Sequence, residues 1–304
     1  MIHYQIEKEK KRFWIGEKEF LPEYELKTES VFAQCNGYMG VRAAHPFSLI
    51  EEQRGMFLSG AFNKAYEGEV TELVNCPDVT WFGLEIDGEK IYPERSCLKS
   101  FERKLDIFSG ELVIHYVFDL GEKGEVLVEN RRFASMAQTN LFAQSLRVQF
   151  LDGRNRQVKI KTGINGQMTN SGVSHFHTST ARVYDKEIME IRSELENSTV
   201  TEAVGCKVVC GVQEEKEFNL KRRSVYGTYV VTPEDKEVIF EKVTFADQGE
   251  DGITTEERKQ ALATALKKGY DVLLEEQQAK MKEFWDVTRV HVDGMSEAEE
   301  AAVC

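Results

Sequence analysis

Apolar and polar positions alternate along most of the chain. In residues 112–118, 126–130, 141–150 and 157–161, β-branched and aromatic residues recur at every second place or run together, as in strands with one or both faces buried. Residues 203–210, 223–231 and 238–245 follow the same rule. Short polar turns lie between them, among them Asp87-Gly88, Ser109-Gly110 and Asp152-Gly153, of the type that closes hairpins. Strand after strand with no intervening helical period predicts antiparallel sheets rather than βαβ units. So many strands exceed one open sheet and should divide into two packed layers. The expectation for residues 1–253 is therefore a mainly β domain, a large two-layer antiparallel β-sandwich.

The period changes after Asp251-Gly252. Thr254-Thr-Glu-Glu257 combines a hydroxyl cap with acidic residues in a first helical turn. Leu262 and Leu266 lie four apart, and Lys267-Lys268-Gly269 supplies a cationic last turn and a glycine stop. Asp271 is placed to cap a second helix with the apolar stripe Leu274, Met281, Phe284 and Trp285. Two helices over 254–290 are thus expected, with an extended piece over 287–292. An acidic helix beginning near Ser296 stops at Cys304, which reads as the truncated start of a further region over 291–304.

Composition narrows the classes of function. Of 304 residues, 41% are hydrophobic and 30% charged, the balance of a globular protein with a sizeable core. A net charge of −13 opposes nucleic-acid binding, which needs a surplus of Lys and Arg on one face, and opposes adhesion to anionic membranes. No apolar run reaches membrane-spanning length, and charge enters the N-terminal sequence too early for a signal peptide; the expected location is cytoplasmic. Six cysteines, Cys35, Cys76, Cys97, Cys206, Cys210 and Cys304, are too scattered for a disulfide framework and read as reduced thiols.

Motifs that carry chemistry on their own are missing. There is no Gly-x-Ser-x-Gly elbow, phosphate-binding Gly-rich loop or His-Glu-x-x-His. His175 and His177 would share one face of a strand, but no third ligand is indicated by spacing. Cys206 and Cys210 would also share a strand face, with no turn between them to make a zinc knuckle. Acidic clusters at Glu51-Glu52, Glu214-Glu215 with Glu217, and Glu297 with Glu299-Glu300 lack aromatic neighbours and read as solvated surface. No catalytic, cofactor-binding or metal-binding residue is assigned. A sugar-binding module would need exposed aromatic platforms; of the tryptophans Trp14, Trp81 and Trp285, the last two sit in patterns better explained by packing.

Two unusual segments remain. Residues 29–43 mix apolar residues with Asn36-Gly37, Gly40 and Arg42; residues 73–78 carry Asn75, Pro77 and Asp78, followed by Trp81 and a hairpin at Ile86-Asp87-Gly88. The run Glu29-Ser-x-Phe-x-x-x-Asn36-Gly37-Tyr38-x-Gly40-x-Arg42 resembles the opening motif of the N-terminal domain of glycoside hydrolase family 65, the maltose, kojibiose and trehalose phosphorylase family. Asn75-x-Pro77-Asp78, and the tail from Gly269-Tyr-Asp-x-Leu-Leu274 through Trp285-x-Val287 to Val292-Asp-Gly294, are similar to further segments of that domain and its linker. Two places depart from the pattern: Gln277 and Met281 stand where the family's linker often carries His and Trp, and Trp81 is displaced by two positions.

The resemblance implies a β-super-sandwich and helical linker leading to an α/α barrel that holds the general acid and the phosphate-binding residues. No catalytic residue therefore transfers to this chain. It implies a parent that uses inorganic phosphate as co-substrate, without a cofactor, to convert an α-glucosyl disaccharide to β-glucose 1-phosphate and a free sugar; some relatives are hydrolases. The implied partners are the chain's own catalytic barrel and a second copy in a homodimer. Asn36, Tyr38, Arg42, Asn75 and Asp78 are the residues expected to belong to the barrel-facing surface.

Overall fold

The computed structural model describes residues 3–7, 12–49, 53–64, 66–93, 97–249, 253–290 and 292–296. Its main element is a ten-stranded sheet. In spatial order the strands are His3–Glu7, Arg12–Glu17, Cys97–Asp106, Glu111–Asp119, Glu125–Ala134, Leu141–Phe150, Glu237–Gln248, Thr199–Cys210, Ile188–Glu194 and Thr178–Tyr184. A five-stranded sheet, Val212–Lys221, Ser224–Thr232, Val158–Asn165, Phe82–Ile86 and Glu89–Lys90, forms the second layer. Neighbouring strands are antiparallel throughout both. The expected sandwich is present. Its core joins Tyr116, Phe118, Val128, Val148 and Phe240 of the large sheet to Leu84, Ile160 and Tyr229 of the small one.

A second apolar cluster explains why the central strands read as continuous apolar runs. Residues 141–146 are buried at six successive positions. One face enters the sandwich, and Leu141, Ala143, Val243 and Phe245 on the other face are covered by helices. There are three α-helices among the described residues: α1 (Glu25–Val31), α2 (Thr255–Lys268) and α3 (Tyr270–Thr288). Helix α2 lays Leu262 and Ala265 on the sheet, and α3 adds Tyr270, Leu273 and Leu274. The Thr254 capping box forms as expected: its hydroxyl accepts from the Glu257 backbone amide, and the Glu257 carboxylate accepts from the Thr254 amide. None of the described helices is long and apolar enough to cross a membrane.

Several local expectations are corrected. Helix α1 lies where strands are expected. Its buried residues are Glu25, Thr28 and Glu29 while Leu26 and Val31 are exposed, so its amphipathic pattern is inverted. Gly269, not Asp271, precedes α3; Asp271 sits in the first turn and accepts from Arg131 Nη1 at 2.9 Å. The extended piece predicted from 287 is helical through Thr288. Asp152-Gly153 closes no hairpin, because the chain passes there from the large sheet to the small one. A bulge between Val208 and Cys210 reverses the alternation, so Cys206 faces the core while Cys210 is only half-buried on the other side.

Candidate functional site

The strand ends of the sandwich are unlike each other. One end gathers the turn at 107–110, the turn at 135–140, the start of Thr199–Cys210 and the end of Glu237–Gln248. Gln34 just after α1, the segment 36–42 and the outgoing half of α3 bind to these turns and strand ends, and Asp78 bridges to Asn165 at the end of Val158–Asn165. Gln34 Nε2 donates to Gly110 O at 2.7 Å, and Gln277 Nε2 to Ser109 O at 2.8 Å. All five sequence-predicted residues lie at this end.

Their side chains fasten it. Asn36 is buried; its Oδ1 accepts from the Tyr38 and Met39 amides at 3.0 and 2.8 Å, and its Nδ2 donates to Ser135 O and Thr139 O at 2.8 Å each. The turn so formed needs Gly37 at φ +82°. Tyr38 OH accepts from the Gln248 amide at 3.1 Å. Arg42 donates to Gln53 O at 2.8 Å, Leu26 O at 3.0 Å and the buried Glu29 carboxylate at 3.3 Å. Burial raises the Glu29 carboxyl above its usual range, with Arg42 pulling the other way. Asn75 accepts from the Met56 amide at 3.1 Å and donates to Arg54 O at 3.1 Å and Thr169 O at 3.2 Å. Asp78, also buried, accepts from Thr80 Oγ1 at 2.6 Å and lies 3.5 Å from Arg54 Nη1. Asn36 and Asp78 thus spend their polar groups inside the protein, and Tyr38, Arg42 and Asn75 are half-buried.

An ionic cluster under α1 ties the helix to the large sheet. The fully buried Arg103 donates through Nε to Glu17 at 2.7 Å, through Nη2 to Thr28 Oγ1 at 2.7 Å and Glu25 at 3.2 Å, and through Nη1 to Ala43 O at 3.1 Å. His45 Nε2 lies 2.7 Å from Glu25, and its Nδ1 meets the Tyr116 hydroxyl. Burial, with Arg103 nearby, holds the imidazole down to about 4 against the pull of Glu25. The neutral ring therefore donates to Glu25 and accepts from Tyr116. Burial opposes ionisation of Glu25, but the hydrogen bond from His45 and the Arg103 charge keep it below its ordinary value.

This end also gathers exposed apolar side chains among its charged ones. Among the described residues sixteen large apolar side chains are exposed, and eleven of them fall in three segments here. Tyr24, Leu26 and Val31 lie on and beside α1; Phe62, Tyr66, Val70 and Leu73 on a hairpin arm; Phe284, Val287, Val290 and Met295 on the outgoing end of α3 and beyond. The arm is built on the paired strands Phe62–Asn63 and Glu72–Leu73. Sequence reading missed it. The available signal was two aromatics, Phe62 and Tyr66, set among turn-forming and acidic residues.

The remaining candidates do not converge. His175 and His177 lie in irregular backbone, not on a strand. His175 is buried with the Glu72 carboxylate 3.9 Å away, while His177 is exposed. Among the described residues no group of three His, Cys, Asp or Glu could hold a metal. Glu214 accepts from Thr232 Oγ1 and Gln157 on the surface of the small sheet. The pairs at 51–52 and 297–300 lie outside the described residues, as does Cys304. A surface groove of about 360 Å³ runs beside α2, lined by Gln138, Gln260, Thr264, Lys268 and Leu273.

Comparison with known proteins assigns the family. Residues 15–284 match the model for the glycosyl hydrolase family 65 N-terminal domain. The chain is 28% identical over 274 residues to kojibiose phosphorylase of Escherichia coli K12, covering 88% of this chain and 36% of that protein. It is 29% identical to kojibiose phosphorylase of Halothermothrix orenii, covering 96% and 40%, and 23% identical to nigerose phosphorylase of Lachnoclostridium phytofermentans, covering 88% and 38%. A solved structure described as a putative kojibiose phosphorylase from human microbiome shares the fold, with a TM-score of 0.83 at 16% identity over 95% of this chain and 40% of that one. The chain spans only 36–40% of the length of these relatives. With most of its length inside the matched segment, the chain belongs to the glycosyl hydrolase family 65 N-terminal domains.

Proposed function

We propose that this sandwich is the non-catalytic front of an α-glucoside phosphorylase, and that its apolar end seats the catalytic body of the same polypeptide. One observation carries the reading: among the described residues, eleven of the sixteen exposed large apolar side chains gather at the end where α3 leads the chain outward, a concentration of the kind that marks a protein contact. The names of the relatives support the substrate class.

In this reading a phosphate oxygen attacks the anomeric carbon of an α-glucosyl disaccharide from the face opposite the glycosidic oxygen. The C1–O bond breaks as a carboxylic acid of the catalytic body protonates the leaving sugar, giving β-glucose 1-phosphate. Phosphate takes the place of the activated water of an inverting hydrolase, so no second carboxylate is needed as base. The test is incubation of the full-length polypeptide with kojibiose, nigerose or maltose and phosphate. Phosphate-dependent formation of β-glucose 1-phosphate is expected from the full-length protein and not from the 304-residue chain. Activity of the chain alone would overturn the scaffold role, and phosphate-independent release of glucose would replace phosphorolysis with hydrolysis.

A further inference from the structure

The exposed groups at the apolar end differ in chemistry. On α3 they are mainly aliphatic, as suits packing against protein. The arm exposes, besides Val70 and Leu73, two aromatic rings, Phe62 at 54% and Tyr66 at 66%, and the exposed Glu67 follows Tyr66 in the chain. An apolar ring face next to a hydrogen-bond acceptor is the pairing that receives a pyranose, whose C–H side stacks while its hydroxyls donate.

The arm's backbone is fixed at its tip and at its base. Tyr66 opens a turn in which the Glu69 amide donates to Tyr66 O at 3.3 Å, and Gly68 at φ +92° supplies the left-handed third position that such a turn requires. The base is fixed from below: Asn63 Nδ2 donates to His175 O at 2.9 Å, Asn170 Nδ2 to Glu72 at 2.7 Å, and the Asn75 amide to Asn170 Oδ1 at 2.8 Å. An arm whose backbone is already set loses little freedom on binding.

We propose that Tyr66, on the same arm as Phe62, is a stacking platform for a hexopyranose and forms the sandwich's own wall of the sugar pocket. The proposal rests on the phosphorylase reading above for the identity of that pocket. It is tested in the full-length polypeptide running in reverse, from β-glucose 1-phosphate and glucose, with Tyr66→Ala and Tyr66→Phe compared. Tyr66→Ala is expected to raise KM for the acceptor about tenfold, a loss of ~1.4 kcal/mol, with kcat and the unfolding midpoint held; Tyr66→Phe keeps the ring and the KM. An unchanged KM overturns the platform. So does a lowered midpoint with KM held, which would make the arm a packing element against protein. If the polypeptide neither makes nor consumes glucose 1-phosphate, the phosphorylase reading fails, and titration calorimetry with kojibiose then judges the platform alone. Binding by the wild type and not by Tyr66→Ala sustains it; binding by neither, or equal binding by both, overturns it.

Discussion

The guanidinium of Arg42 donates to the buried carboxylate of Glu29 at 3.3 Å across the turn that Asn36 holds closed. This pair links α1 to the segment after it, and both residues belong to the motif that carries the family resemblance. The motif's polar residues act on the loops around them and set the shape of the apolar end.

Replacing Arg42 by Met should therefore leave the Glu29 carboxylate buried without its cationic partner. The expected cost is about 3 kcal/mol, since breaking one partner of a buried pair is the expensive change. Adding Glu29→Gln should recover part of it. Urea denaturation of the two single variants and the double variant measures the coupling; additive losses would mean that the pair does not act as a unit.

His45 sets a pH limit on stability. An unfolded histidine takes up its proton near 6.5, and the folded one only near 4. As pH falls from 6.5 to 4, the unfolded state binds a proton that the folded state refuses, so stability falls across that window. The ceiling is about 3 kcal/mol at ~1.4 kcal/mol per unit. His45→Gln should flatten this part of the stability–pH curve. Denaturation midpoints at matched pH values check it, and equal slopes for both proteins would exclude a neutral buried ring.

Gly163 marks where the small sheet tolerates no side chain. A Cβ there would stand 2.1 Å from Val225 O and 2.6 Å from Tyr226 Cα, both in the backbone of the paired strand. Since the ladder cannot give way locally, Gly163→Ala should cost about 3 kcal/mol, at the upper end of overpacking penalties. A thermal midpoint unchanged from wild type would show that the two strands can separate without cost.

Period and cap chemistry made part of the fold legible in the sequence. The central strands, the two-layer arrangement and the Thr254–Glu257 capping box are local patterns or rest on them, and the structure has all three. Helix α1 was hidden because its buried side is polar: Glu25, Thr28 and Glu29 turn inward toward Arg103, Arg42 and His45, partners distant in sequence. The bulge at Val208–Cys210 was equally hidden, since one extra residue changes faces without changing composition. Asn36 and Asp78 were legible as unusual, but that their side chains turn inward depends on carbonyls and a guanidinium brought close only by folding. The arm's exposed rings carried no period at all.

The central claim is that the apolar end is covered by the rest of the parent polypeptide. Carbene footprinting of side chains in the 304-residue chain and in the full-length protein tests it directly. Leu26, Phe284 and Val287 should label strongly in the chain alone and be protected in the full-length protein, while Leu151 and Val209, outside this end, should label alike in both. Equal labelling of Leu26, Phe284 and Val287 in the two proteins would contradict the claim.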